Sequence, residues 1–264
     1  MNRWAKSICW SMLSVVIAVS SPAQPVSGPE PVRPRTGSQL YVQRVATLRA
    51  GQLYSRLPPS NFANQWQSAD WQQPTYEQWQ SLLAHEAATM AAQQGRSPLT
   101  VLVGDSLYLW LPQEQLPGDR LWLNQSISGE MTGHMVRRLG YFAAVRPSVV
   151  YVMAGVNDLK NGADPNVVVS NMELIVQRLR VQHAQSQIVV LSILPTRLPH
   201  IPQPVVRQVN QQIEIAVQRR GATFVDLQPA FVDGQGLLRA DLTTDGLHLS
   251  PQGYGLLASY LGRL

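Results

Sequence analysis

Four short groups of residues in this sequence carry side chains suited to acyl-transfer chemistry. In chain order they are Gly104-Asp105-Ser106-Leu107, the stretch NQSISG at 124–129, Gly155-Val156-Asn157-Asp158 and Asp245-Gly246-Leu247-His248. Taken singly, each group has an ordinary structural explanation, because serine often caps a helix and Asn-Asp pairs often form turns. Taken together, they contain a hydroxyl nucleophile, a base, an acid and neutral hydrogen-bond donors, which is what serine-based acyl transfer requires.

Each of these residue types has a chemical role that its position would allow. Ser106 is the candidate nucleophile, at a helix N-terminus where developing negative charge is favoured. His248 can accept the serine proton, and Asp245, three residues earlier, can bind the other imidazole nitrogen. The N–H groups of Ser106 and Gly129 and the side-chain amide of Asn157 can donate to an oxyanion. The sequence therefore predicts a Ser106–His248–Asp245 triad with three oxyanion donors.

The elements that must position these residues follow a strand–helix alternation from residue 98 onward. Short β-branched runs predict strands near residues 99–103, 121–123, 149–153, 188–194 and 222–227. Amphipathic stretches between and after them predict helices near residues 131–145, 166–183, 203–220 and from 250 onward. Such alternation predicts a parallel sheet covered by helices on both faces, with the site at the carboxyl ends of its strands.

The region before this alternation has a different character. Residues 24–37 are rich in proline and glycine and predict an extended linker, and residues 38–97 predict a helical extension. Thr75 followed by Gln78 forms a capping-box pattern that marks the start of a helix. The nearby aromatic stripe has two interpretations, packing of the extension onto its domain or a ligand surface, and we favour packing; its members are Trp66, Trp71, Tyr76 and Trp79.

The first 23 residues have the pattern of a secretory signal peptide. Arg3 and Lys6 precede the apolar run Ile8–Val19, and Ser21-Pro22-Ala23 supplies small residues for cleavage. The run is shorter than the roughly 20 residues that a membrane-spanning helix needs. The sequence predicts a protein exported to the periplasm or the outside of the cell. The alternative is an uncleaved N-terminal membrane anchor.

Composition argues against several other functions. The net charge of +5 is spread over the chain, with no basic run longer than two residues, so a nucleic-acid partner is not expected. Cys9, the one cysteine, lies inside the predicted signal peptide, which would leave the exported chain without a thiol. The histidines show no metal-ligand spacing, so we expect neither a metal nor a cofactor.

The four groups resemble the sequence blocks of the SGNH (GDSL-type) hydrolase family, in the family's order. The stretch NQSISG is similar to bacterial thioesterase/lysophospholipase members, and the region from GDSL to DGLHLSPQGY is similar to platelet-activating-factor acetylhydrolase catalytic subunits. The resemblance covers about residues 98–264. It implies a flavodoxin-like three-layer α/β/α sandwich, a metal-free acyl-enzyme mechanism and the residue roles given above. One departure is Glu130, where many members have aspartate, and we expect it to have little effect.

The predicted function is therefore a serine esterase that cleaves acyl esters or thioesters of lipids, small molecules or acylated glycans. The alternatives are an O-acyltransferase and a non-catalytic carbohydrate- or lipid-binding module on the same fold. Two features leave the substrate open. Leu107–Leu111 could form an acyl pocket or the buried face of a helix, and Arg197 could bind an anionic headgroup or lie on the surface.

Overall fold

The computed structural model describes residues 32–54, 57–68 and 72–262. The predicted signal peptide and residues 24–31 of the predicted linker lie outside these ranges, as does Trp71. Residues 32–36 contain no helix or strand, and the first helix begins at Gly37. No helix in the described part of the chain is long and apolar enough to cross a membrane.

A five-stranded parallel sheet forms the centre of the molecule, in the order β2-β1-β3-β4-β5. Its strands are β1 (Leu99–Gly104), β2 (Leu121–Ser126), β3 (Val149–Met153), β4 (Gln187–Leu191) and β5 (Thr223–Val225). Gly104 pairs with both Ser126 and Met153, so three neighbouring strands end at the same level. The residues that follow these strands are therefore brought together at one edge of the sheet.

The helices lie before, between and after the strands. They are α1 (Gly37–Arg49), α2 (Ala63–Gln67), α3 (Tyr76–Gln93), α4 (Ser106–Leu109), α5 (Thr132–Arg138), α6 (Val156–Lys160), α7 (Pro165–Gln182), α8 (Gln203–Arg219), α9 (Gln228–Phe231) and α10 (Pro251–Leu261). Local signals explain several of their starts. Thr75 and Gln78 form the predicted capping box of α3, Asp164 caps α7 and Ser250 caps α10.

Alternation along the strands divides the core between the two faces of the sheet. Val101 and Val103 pack in one cluster with α5, α7 and α8, whereas Leu102 packs in the other with α4, α9 and α10. Strands that are buried on both faces are apolar at successive positions, as a covered parallel sheet requires. The predicted three-layer α/β/α architecture is confirmed.

Three predicted elements are shorter in the structure. The strand predicted over 188–194 covers Gln187–Leu191, because the Ile193 N–H donates to the Asn210 side chain at 2.8 Å instead of joining the ladder. The fifth strand covers residues 223–225 rather than 222–227, because Leu227 leaves the ladder and its N–H donates to the Ser192 hydroxyl, 2.9 Å away. The helix predicted over 131–145 ends at Arg138 and continues as a 3₁₀ turn over Leu139–Phe142.

A third apolar cluster joins the N-terminal helices to the sheet domain. It contains Leu40 of α1, three residues of α3 including Trp79, Leu109 of α4 and Ile127 from the loop after β2. Trp66 is 2% exposed, and its indole N–H donates to the Asn61 carbonyl. For the described members of the aromatic stripe, packing is therefore the observed role.

Candidate active site

Ser106 lies at the junction between β1 and α4. Asp105 caps α4 by accepting a hydrogen bond from the Leu107 N–H at 3.0 Å, so Ser106 is the first helical residue. A β-carbon at Gly104 would lie 2.7 Å from the Met153 carbonyl oxygen, so only glycine allows this strand end to pack closely. The helix has four residues, so its macrodipole is small and the free N–H groups themselves carry the local positive potential.

Ser106, His248 and Asp245 form a continuous hydrogen-bonded chain. His248 Nε2 lies 3.1 Å from Ser106 Oγ, and His248 Nδ1 lies 2.6 Å from Asp245 Oδ2. Both distances are within the range expected for proton transfer between a nucleophile and its base. The three side chains come from positions up to 142 residues apart, and the structure brings all of them together.

The Asp245–His248 pair is held by its own turn. Asp245 Oδ1 accepts from the backbone N–H groups of Leu247 at 2.9 Å and His248 at 2.7 Å. The Arg197 N–H donates to the Gly246 carbonyl at 2.8 Å and ties the turn to the loop after β4. Partial burial opposes ionisation of Asp245, but hydrogen bonds from His248 and from these backbone groups hold its pKa below the usual range. Asp245 is therefore a carboxylate at neutral pH.

The three predicted oxyanion donors come from the ends of three adjacent strands. Gly129 is exposed, and its N–H has no acceptor among the described residues. Its φ of +75° is in the left-handed region that glycine adopts without strain. The buried Asn157 side chain donates to Asp105 Oδ2 and to the Glu130 carbonyl, both at 3.2 Å. Asn157 thus lies between the Ser106 and Gly129 loops.

Comparison with known proteins agrees with this geometry. The family model for the GDSL-like lipase/acylhydrolase family matches residues 102–256, which includes every residue of the candidate site. The chain belongs to this family. It is therefore an ester-bond hydrolase with a lipase-like or esterase-like acyl hydrolase domain.

Individual relatives of this GDSL-family chain cover the same region. Platelet-activating factor acetylhydrolase IB subunit alpha1 from Homo sapiens is 33% identical over 175 residues, covering 62% of this chain and 74% of the relative. A structure from Streptococcus pneumonia, described as a platelet activating factor, is 25% identical with a TM-score of 0.62, covering 70% and 90% of the two chains. A GDSL-like lipase from Bacteroides thetaiotaomicron has the same fold at 18% identity, with a TM-score of 0.59 over 69% and 94%.

Asp158, the last residue of the third sequence block, binds the first residue of α5, next to the site. It is 3% exposed and accepts hydrogen bonds from the Thr132 N–H at 2.9 Å and the Thr132 hydroxyl at 2.6 Å. These bonds fix the start of α5 directly after Gly129 and Glu130. The sequence motif includes Asp158 but gives no indication that Thr132 is its partner.

Glu130 has a larger structural role than the sequence suggested. Its side chain and that of Arg138 are fully buried, and the two form a bidentate ion pair with a 2.6 Å Arg138 Nε to Glu130 Oε1 bond. Glu130 also accepts a hydrogen bond from the Tyr76 hydroxyl at 2.9 Å. The expectation that glutamate in place of aspartate has little effect stays a prediction, and these contacts add a structural role for Glu130 that the sequence did not indicate.

The two open questions about the surroundings of the site are answered by packing. Leu107, Tyr108, Leu109 and Leu111 are buried in the core, as the helical-face interpretation expects, whereas Trp110 is half-buried. Arg197 donates to Asp233 Oδ2 and to the Leu238 carbonyl, both at 2.8 Å. Its charge is therefore already paired.

Asp105 is an ionisable group that sequence reasoning did not single out. It is 1% exposed, and burial raises its pKa to about 7 despite the Leu107 N–H bond and the nearby His248. Its carboxyl group lies next to both the nucleophile and the Asn157 amide. No group of three histidine, cysteine, aspartate or glutamate residues suited to a metal occurs among the described residues.

Proposed function

We propose that the protein is a serine esterase that hydrolyses short acyl esters through an acyl-enzyme. The observation that carries this proposal is the hydrogen-bonded chain from Ser106 Oγ through His248 to Asp245. In the first step, Ser106 Oγ attacks the ester carbonyl carbon and its proton passes to His248 Nε2. Asp245 stabilises the resulting imidazolium through its bond to Nδ1.

The developing oxyanion would be bound by the Ser106 N–H, the Gly129 N–H and the Asn157 amide. The two 3.2 Å bonds of the Asn157 amide are long, so an incoming charged oxygen can compete for one of its protons. The tetrahedral intermediate then expels the alcohol, which takes the proton from His248. Water attacks the acyl-enzyme with His248 again as the base, and this step releases the acid and restores Ser106.

Two features of the site support hydrolysis of small esters over the alternatives. The side chains of His248 and Asp245 are 40% and 52% exposed, so water reaches the base directly, whereas acyl transfer requires water to be excluded. Leu107 and Tyr108, the first two apolar residues after Ser106, are packed in the core and are not free to line a long acyl channel. The acetylhydrolase relative favours an acetyl or similarly short acyl group, on a lipid or glycan alcohol.

The test combines labelling with a substrate panel. A fluorophosphonate should label Ser106, and Ser106→Ala should abolish labelling and lower kcat about 10³-fold or more without loss of folding. Chromogenic esters of rising acyl length and acetylated sugars should show a preference for the shortest acyl groups. Labelling of another serine, or binding of these compounds without turnover, would contradict the proposed function and favour a binding module.

We also propose that the protein is exported, on the basis of Arg3, Lys6, Ile8–Val19 and Ser21-Pro22-Ala23. Intact-mass measurement of protein from its native host should give an N-terminus at or near Gln24. A full-length mass in the membrane fraction would favour the uncleaved anchor.

A further inference from the structure

The N-terminal extension, which we define as residues 37–93, contacts the loop that carries Gly129 at four points. We call residues 124–130 the Gly129 segment. The extension lies wholly before residue 102, where the match to the family model begins. Its contacts with the Gly129 segment therefore involve residues outside the family match, and they concern a segment proposed to bind the oxyanion.

The first contact is a buried arginine at the start of the segment. Arg44 of α1 is 1% exposed and forms a bidentate ion pair with Glu86 of α3, in which the Nε to Oε1 distance is 2.9 Å. Its Nη2 group also donates to the Asn124 carbonyl at 2.9 Å. One side chain thus joins two helices of the extension to the first residue of the segment.

The middle of the segment is held by a buried amide and an apolar contact. Gln125 Nε2 donates to the Leu83 carbonyl of α3 at 3.0 Å. Ile127 is 3% exposed and lies in the cluster that contains Leu40 and Trp79. Both residues are therefore immobilised by the extension and not only by the sheet.

The last contact is closest to the proposed chemistry. The Tyr76 hydroxyl at the start of α3 donates to Glu130 Oε1 at 2.9 Å, and the Glu130 carbonyl accepts from Asn157 Nδ2 at 3.2 Å. Glu130 directly follows Gly129, and its carbonyl is bound by Asn157. The Tyr76 bond therefore holds a residue that is linked to two of the proposed oxyanion donors. Burial and the Glu130 carboxylate raise the pKa of Tyr76 to about 12, so the phenol keeps its proton over the working pH range.

We propose that Tyr76 is a positioning residue for the oxyanion site, and that the extension completes this site by clamping the Gly129 segment at both ends. The proposal rests on the proposed function. Oxyanion donors act only when they lie about 2.7–3.1 Å from the developing charge, so a small displacement of the segment lowers the rate of the chemical step. Such a displacement changes transition-state binding more than substrate binding, and it should therefore lower kcat more than it changes KM.

The test is Tyr76→Phe, which removes one hydroxyl and leaves the Glu130–Arg138 pair in place. We expect kcat per active site to fall roughly 3- to 30-fold, below the 10²-fold or greater loss for deleting an oxyanion donor outright. KM should stay within about twofold. The rate of inactivation by a fluorophosphonate should fall in parallel with kcat, because its phosphoryl oxygen occupies the same site.

The matched control is Tyr41→Phe, which removes a hydroxyl from the same extension. The Tyr41 ring packs edge-on against Trp79, and its hydroxyl has no hydrogen-bond partner among the described residues. This variant should keep wild-type kcat and inactivation rate. Active-site titration corrects both variants for any unfolded fraction.

Unchanged kcat in Tyr76→Phe would overturn the proposal. A rise in KM with kcat preserved would also overturn it, because Tyr76 would then contact the substrate in the ground state. If Tyr76→Phe does not fold, Gln125→Met breaks a different tie to the extension and must show the same loss of kcat. Failure of the proposed function is a separate result, since the wild-type protein would then lack Ser106 labelling.

Discussion

The Asp245–His248 pair and the Glu130–Arg138 pair both serve the candidate site, yet their surroundings are opposite. The side chains of Asp245 and His248 are 52% and 40% exposed, whereas those of Glu130 and Arg138 are fully buried. The first pair is three residues apart in one turn, and the second connects α5 and the Gly129 segment to Tyr76, 54 residues before Glu130.

This difference predicts that the exposed pair matters for catalysis and that the buried pair matters for the stability of the fold. An exposed ion pair contributes little to folding, because water screens it and solvates each partner when it is alone. A buried pair is costly to break, since the remaining charge is left in a medium that cannot solvate it. Substitutions in the first pair should therefore remove activity and spare the fold, and substitutions in the second should cost stability as well.

The largest expected effect comes from removing the proposed base. His248→Ala should lower kcat by about 10³-fold or more, because His248 Nε2 is the group hydrogen-bonded to Ser106 Oγ and the proposed acceptor of its proton. The melting temperature should change little, given the exposure of the imidazole. Steady-state kinetics and a thermal melt measure both, with the exposed His85→Ala as control. A variant that loses stability along with activity would break the proposed separation.

The next effect tests the buried pair. Arg138→Met should lower the free energy of unfolding by about 3–5 kcal/mol, because Glu130 would remain buried without its partner. Arg137→Met, at the adjacent exposed position, should change it by less than about 0.5 kcal/mol. Urea unfolding of the two variants gives the comparison. Equal stabilities would mean that the buried pair is not needed for folding.

A somewhat smaller effect is expected at Asn157, whose side chain bonds both to Asp105, next to Ser106, and to the Glu130 carbonyl. Asn157→Ala should lower kcat by about 10² to 10³, equivalent to about 2.7–4 kcal/mol, and leave KM within a few-fold. The exposed Asn166→Ala is the control. A rise in KM with kcat preserved would instead identify ground-state recognition. A loss of stability without loss of kcat would make Asn157 a turn residue.

The smallest effect is a pH dependence of stability that originates in Asp105. Its pKa is about 7 in the folded protein against 3.8 for an ordinary aspartate, so between these values the folded state binds more protons than the unfolded state. The contribution of Asp105 to the free energy of unfolding therefore falls as pH rises, by about 2 kcal/mol between about pH 5 and 7. Above pH 7 the contribution levels off.

Asp105→Asn removes this titration. Urea unfolding at several pH values should show a flatter profile in the variant than in the wild type. An identical slope in both proteins would assign the dependence to another group, and a rise in stability over the same range would reverse the sign expected from burial.

Local patterns in the sequence were sufficient for the architecture and for much of the site. Strand–helix alternation predicted the parallel sheet, and because parallel strands end at a common edge, it also predicted that the residues after β1, β2 and β3 would meet there. The capping box at Thr75 and the hydrogen-bonded turn from Asp245 to His248 involve residues only three apart. Such short-range features depend on backbone geometry that neighbouring residues determine by themselves.

The partners of the buried charges were decided only by the tertiary structure. Glu86 lies on the apolar stripe of α3 with Leu83 and Met90, so its burial could have been inferred, but its pairing with Arg44, 42 residues earlier, could not. The same holds for the Tyr76 bond to Glu130. A buried charge must find an opposite charge or donor wherever packing places one, and that choice depends on how separate helices dock and not on the sequence around either residue.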